Sequence, residues 1–178
     1  MRSWILSSAL AVLALLATGC DEGPVGPPGP PGNANVFSLS FTFDYNGALF
    51  NGAVASEQYD VPAITPSVVD EGAVLVYYRF ADTWTALPYT LSVEAADDPP
   101  RVDYTATFGY AYDDQFIEVF VESSSDDEVV LDEIGATELF GSPIAMKAVI
   151  IDGFAFGKNS PVDLTDYEAV RAYFGLPE

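Results

Sequence analysis

Apolar and polar residues alternate along much of this chain with a period of two. Phe37, Leu39, Phe41, Phe43 and Tyr45 are separated by Ser38, Ser40, Thr42 and Asp44. Successive side chains of an extended strand point to opposite faces, so the pattern predicts a half-buried strand. Asn46-Gly47 is a dipeptide that closes hairpins, and it predicts a turn into a second strand over Ala48–Ala55. Gln58–Val61 is expected to be extended, ending before Pro62. Thr65-Pro66 followed by Gly72 marks one helical turn, with a capping hydroxyl, proline at the first position and glycine at the end. Ala73–Phe80 is a continuous apolar run, which predicts a central strand covered on both faces.

From Thr83 to Ala95 the residues Thr85, Leu87, Tyr89, Leu91 and Val93 recur at period two, and Pro88 among them implies an edge or a bulge. Val102, Tyr104, Ala106, Phe108, Tyr110 and Tyr112 form another alternating face, and Asp113-Asp114 predicts the turn into a paired strand over Phe116–Val121. A short strand is expected near Val129–Leu131 and a longer one over Ile144–Ile151. Near the C-terminus the period changes. Thr165-Asp166-Tyr167-Glu168 fits a capping box, with Leu164 and Ala169 placed as a hydrophobic staple. Val170, Tyr173 and Phe174 share a helical face, and Gly175-Leu176-Pro177 stops the helix. Many short strands separated by turns predict an all-β chain folded as an antiparallel β-sandwich, with a β-barrel as the alternative. The single C-terminal α-helix is expected to pack on an edge or end of the sandwich.

Composition narrows the setting. The chain has 27 acidic residues against 6 basic ones and no histidine. Nucleic-acid binding needs Lys and Arg against phosphate, so this balance excludes it. Anionic lipid heads would repel the chain in the same way. Disorder is excluded by an apolar content of 49% with 13% aromatics.

The N-terminal stretch has another character. Arg2 precedes an apolar run, Ile5–Ala17. At about 13 residues that run is too short to span a bilayer but has the length of a signal-peptide core. Ala17-Thr18-Gly19-Cys20 looks like a bacterial lipobox, with Ala17 where Leu is usual, which predicts lipidation at Cys20. Cys20 is the only cysteine, so lipidation would also remove an otherwise unpaired thiol. Each buried methylene stabilises membrane attachment by roughly 0.8 kcal/mol, so two or three acyl chains would anchor the protein durably.

After Asp21 and Glu22 come three Gly-X-Y triplets, Gly23-Pro24-Val25, Gly26-Pro27-Pro28 and Gly29-Pro30-Pro31, followed by Gly32. Collagen has this period because only glycine fits the axis of its triple helix. Three triplets could form a triple-helical stub in a homotrimer, yet no heptad pattern downstream would hold three chains together. The preferred reading is a single extended spacer of roughly 28 Å. The predicted organisation is a signal peptide over residues 1–19, the lipidated cysteine and spacer over 20–35, and the sandwich over 36–178.

These features together resemble a group of Bacteroidota collagen-like lipoproteins. The likeness lies in the lipobox with its acidic successors, the triplets ending in Gly32-Asn33-Ala34-Asn35-Val36, and the stretches Val61-Pro62-Ala63-Ile64-Thr65, Gly72-Ala73-Val74-Leu75-Val76-Tyr77 and Trp84-Thr85-Ala86-Leu87-Pro88-Tyr89. Val162–Val170 is similar too. The resemblance implies placement in the cell envelope and carries over no catalytic residue. Acidic residues after the lipidated cysteine look like a surface-export signal in that group, which favours the outer membrane or cell surface. In enterobacteria an Asp at that position favours the inner membrane.

Candidate chemistry is sparse. Without histidine or a free thiol, His-based triads, thiol catalysis and ordinary zinc sites are excluded. No Gly-rich phosphate loop is present, and no cofactor is implied. Paired carboxylates could hydrolyse a glycoside, although so acidic a chain makes any pair uninformative. Asp97-Asp98, Asp113-Asp114 and Asp126-Asp127-Glu128 could lend oxygen ligands to calcium, but none has EF-hand spacing. Trp84 with Tyr77, Tyr78 and Tyr89 could form a sugar-stacking platform or simply belong to the core. The expected function is a non-catalytic, lipid-anchored display of the sandwich toward a glycan or envelope protein, with a carboxylate-pair glycan hydrolase or a lectin-like module as the alternative.

Overall fold

The computed structural model describes residues 35–94, 102–153 and 161–177. Among these residues nine strands form two antiparallel sheets. They are β1 (Asn35–Phe43), β2 (Leu49–Asn51), β3 (Val54–Asp60), β4 (Ala73–Phe80), β5 (Thr83–Ala86), β6 (Tyr89–Glu94), β7 (Val102–Asp113), β8 (Phe116–Ser123) and β9 (Ile144–Asp152). The first sheet has the order β1-β9-β4-β5 and the second β2-β3-β8-β7-β6. Neither sheet closes on itself, so the architecture is a sandwich and not a barrel.

The main core lies between the sheets. Phe43, Val74, Val76, Tyr78, Met146, Ala148 and Ile150 from the first sheet meet Ala55, Tyr104, Ala106, Phe108, Ile117, Val119 and Val121 from the second. These are the alternate positions of β1, β4, β7, β8 and β9, which is why the period-two pattern was informative. Two helices sit at opposite ends of the β7–β8 hairpin. Helix α1 (Pro66–Glu71) is capped by the Thr65 hydroxyl and carries buried Val68. The chain just before it is tied to the hairpin turn, where the Gln115 N–H donates to the Ile64 carbonyl at 2.7 Å. Helix α2 (Glu128–Gly135) inserts Ile134 at the other end, where the Tyr104 hydroxyl donates to the Glu133 carboxylate at 2.9 Å.

Five expectations need correction. Asn46-Gly47 does not close a hairpin: Tyr45–Gly47 is a 3-10 turn that carries the chain from the first sheet to the second. The hairpin lies five residues further on, at the second Asn-Gly pair, where Asn51 pairs with Val54 and Gly52 takes a φ of +58°. Asp44 explains the difference, because its carboxylate accepts from the Asn46 N–H and nucleates the helical turn. Next, the alternating stretch Thr83–Ala95 is not one strand. It breaks at the cis peptide Leu87–Pro88, with β5 in the first sheet and β6 in the second. Both strands are sheet edges, as a proline there requires.

Third, Val129–Leu131 is not strand but part of α2, whose N-cap is Asp127. Finally, the C-terminal helix α3 (Tyr167–Phe174) lies on the outer face of the first sheet, not on an edge or end. Tyr167 and Val170 pack with Val36, Ala73, Leu75, Tyr77, Trp84, Ala86, Val149 and Ile151, which belong to all four strands of that sheet. Strands β4 and β9 are thus covered on both faces, as the unbroken apolar run of Ala73–Phe80 suggested. Its N-cap is Asp166, one residue later than expected, accepting from the Glu168 and Ala169 N–H groups. Thr165 instead donates its hydroxyl to Asp163 at 2.7 Å.

Among the described residues no helix is long and apolar enough to cross a membrane.

Candidate functional site

A concavity lies between the β2–β3 hairpin and α2. One cleft of about 450 Å³ is lined by Phe50, Gly52, Asp126, Glu128, Leu131 and Asp132. A second hollow of about 370 Å³ shares Phe50, Leu131 and Asp132 with it and reaches Tyr45 and Gly135. The sequence builds these walls by local rules. The Asp127 side chain accepts from the Val129 N–H and starts α2. From there Val130, Leu131 and Ile134 turn toward the core while Glu128 and Asp132 stay on the cleft side. Tyr45 is the hinge of the site. Its ring meets Phe50 edge-on at 5.4 Å and Phe140 at 5.4 Å, and its hydroxyl donates to the Leu131 carbonyl at 3.0 Å. Burial, reinforced by the nearby negative charge of Asp132, pushes the Tyr45 hydroxyl up to about 12.

Gly135 permits this junction, since a Cβ there would lie 2.9 Å from the Asn46 side-chain oxygen and 3.0 Å from the Tyr45 ring. The resulting lining combines the half-exposed Phe50 ring with the carboxylates of Asp126, Glu128 and Asp132. Such a surface suits a hydroxyl-rich or cationic visitor. The groove was not foreseen, because it depends on α2 being helical. Asp127 followed by apolar residues at 130, 131 and 134 was the available signal, an N-cap and a helical stripe.

The predicted site residues are dispersed. Cys20 and Asp97-Asp98 lie outside the described residues. The four aromatics do not share a surface, because neighbours on β4 face opposite ways. Tyr78 points into the sandwich against Phe108 and Tyr89. Tyr77 is fully buried on the outer face, where its hydroxyl donates to the Leu164 carbonyl at 2.7 Å and its ring meets Tyr167. Trp84 joins the same outer layer, 5.3 Å from Tyr167, with the Lys147 ammonium 5.1 Å above its ring. Lys147 also donates to the Tyr167 hydroxyl at 2.8 Å. This cation therefore fastens α3 to the sheet.

The acidic runs are engaged with their own backbone. Asp113 accepts from the Asp114 N–H at 2.8 Å, and Asp127 is spent on the α2 cap. Among the described residues no group of three or more Asp, Glu, His or Cys could hold a metal ion. Comparison with protein-family models, with curated proteins and with solved structures finds no match to this chain.

Proposed function

We propose that this protein is a lipid-anchored component of a bacterial cell envelope, held through Cys20 and displaying a non-catalytic β-sandwich for interaction with a glycan or an envelope protein. The carrying observation is the order of the parts. A lipobox-like segment ends at the only cysteine, the Gly-Pro triplets follow, and strand β1 opens at Asn35, directly after them. A polyproline-like spacer of that kind would hold the sandwich a few nanometres from the lipid surface. Resemblance to collagen-like lipoproteins supports the same reading and favours the outer membrane or the cell surface. The groove between the β2–β3 hairpin and α2 is the surface best suited to a polar ligand.

The test is incorporation of an alkyne-bearing fatty acid in a bacterial host. Wild-type chain is expected to take up label and fractionate with membranes, whereas Cys20→Ser takes up none and leaves the membrane fraction. Equal labelling of the two would sink the anchor. Soluble polysaccharides presented to the purified protein separate the alternatives. Turnover abolished by Asp132→Asn would replace the display reading with a hydrolase, and binding without turnover supports a lectin-like role for the groove.

A further inference from the structure

Among the described residues strand β1 occupies an edge of the first sheet, with β9 on one side and no strand on the other. Edge strands are commonly protected by charges, prolines, bulges or brevity, because an open row of N–H and C=O groups invites pairing. The short edge strands β2 and β5 have three and four residues. Strand β1 has nine, Asn-Val-Phe-Ser-Leu-Ser-Phe-Thr-Phe, and pairs with β9 without a bulge. It contains no charge and no proline, in a chain with a formal net charge of −21.

The order of its residues narrows the occupant. Read outward from Leu39, the strand has Ser on both sides, then Phe on both sides, then Val36 and Thr42, which are both β-branched. A strand symmetric about its midpoint is complementary to itself when run antiparallel, as a twofold interface demands. We infer that β1 is a homodimerisation edge, at which two copies pair antiparallel about Leu39 and join their four-stranded sheets into one. In that register Leu39 faces Leu39 of the second copy, Ser38 faces its Ser40, and Phe37 faces its Phe41.

Burial agrees with this pairing. Leu39 and Phe41 pack against the main core, yet Phe37, on the same side of the strand, is left 51% exposed. Pairing would set the Phe41 ring of the second copy beside it and extend the apolar layer across the twofold axis. The pairing stops short of Thr42, whose carbonyl accepts from the Tyr59 hydroxyl at 2.7 Å while the Tyr59 ring packs on Phe41 at 4.6 Å. The open part therefore centres on Ser38–Ser40, where the symmetry is strongest. This inference is independent of the lipid anchor.

The test uses the full-length chain in non-ionic detergent. Sedimentation velocity is expected to show a concentration-dependent dimer, and Ser40→Lys, at an exposed position, is expected to return it to a monomer that keeps the wild-type circular-dichroism spectrum and loses the concentration dependence of the melting temperature. In a Cys20→Ser background, Leu39→Cys is expected to give a disulfide-linked dimer on mild oxidation, whereas Ser92→Cys, on edge strand β6, is expected to give none. Should the cysteine at position 39 disturb folding, the Ser40→Lys comparison decides alone. A chain that stays monomeric, a dimer indifferent to Ser40→Lys, equal cross-linking at 39 and 92, or a trimer that vanishes on deleting Gly23–Gly32 would each overturn the proposal.

Discussion

Several buried tyrosines in this sandwich serve as neutral hydrogen-bond donors. Tyr45 is pushed up to about 12 by burial and by Asp132, and Tyr110 to about 12 by burial and by Tyr112. Tyr77 is raised further by burial, with smaller contributions from Tyr110 and nearby acidic groups, and Tyr59 by burial and its 2.6 Å contact with Glu57. The folded values exceed the ordinary 10.0, so the neutral form is favoured in the folded state. The stability they contribute is therefore present in full below pH 10 and is lost as pH rises toward 12 and beyond. Melting temperature is expected to hold up to about pH 9.5 and then fall steeply. A flat profile through pH 12 would contradict the burial of these hydroxyls.

Two glycines make a second prediction at this scale. A Cβ on Gly72 would lie 2.5 Å from the Ile151 carbonyl and 2.8 Å from the Val68 Cα, both backbone atoms that cannot move aside. The atoms nearest a Cβ on Gly109 belong to the Phe120 ring, the first at 2.7 Å, and a ring can tilt. Gly72→Ala is expected to cost about 2–3 kcal/mol and Gly109→Ala about 1, read from chemical-denaturation midpoints. The reverse order would show that the α1–β9 contact is looser than described.

Helix ends are the elements whose bounds turn on single side chains. Asp166 satisfies two N–H groups of α3, at 2.9 and 3.1 Å, while Thr165 bonds back to Asp163. Asp166→Ala is expected to cost about 1 kcal/mol of stability and Thr165→Ala only a few tenths. A larger loss at Thr165 would restore the capping box first read from the sequence. The capping box misled by one residue because both candidates are good caps, and the Asp163 carboxylate, which no local pattern reveals, draws Thr165 away. Strands β1 and β7 were legible because period two records a face in contact with the opposite sheet, and β4 was legible as a continuous apolar run because both its faces are covered. The break at Leu87–Pro88 was legible only as an edge or bulge, since Leu87 and Tyr89 keep the alternation while the chain changes sheets. The groove was illegible for a related reason: it is made by a hairpin and a helix that only the tertiary fold brings together.

At the scale of the whole molecule, charge opposes what the core holds together. The described ion pairs Arg79–Asp82 and Arg171–Glu168 are exposed neighbours three residues apart, so each contributes little. Most of the acidic excess must repel itself across the surface. Raising NaCl from about 0.02 M to about 0.5 M, where the screening length falls to a few ångströms, is expected to raise the melting temperature. A fall on adding salt would mean that unrecognised attractive pairs outweigh the repulsion. The sandwich itself could be anticipated from patterning, but the place of α3 could not. The apolar run of β4 announced that both faces are covered without saying what covers the second.

The order of strands in the first sheet also bears on how the chain reaches its fold. Strand β9 lies between β1 and β4, so β1 has no strand partner until β9 arrives, and β4 has only β5. Residue Phe43 must meet Ile144 across roughly a hundred intervening residues, a closure whose entropy has to be met before the contact stabilises anything. The hairpins β2–β3, β4–β5 and β7–β8 are local and can form early, whereas β1 waits for the last strand. Such a nonlocal topology folds slowly and commits late. Until that commitment β1 stays an unpaired apolar ribbon, and the conversion of this chain from pliable to set is governed by the arrival of one segment near its C-terminal end.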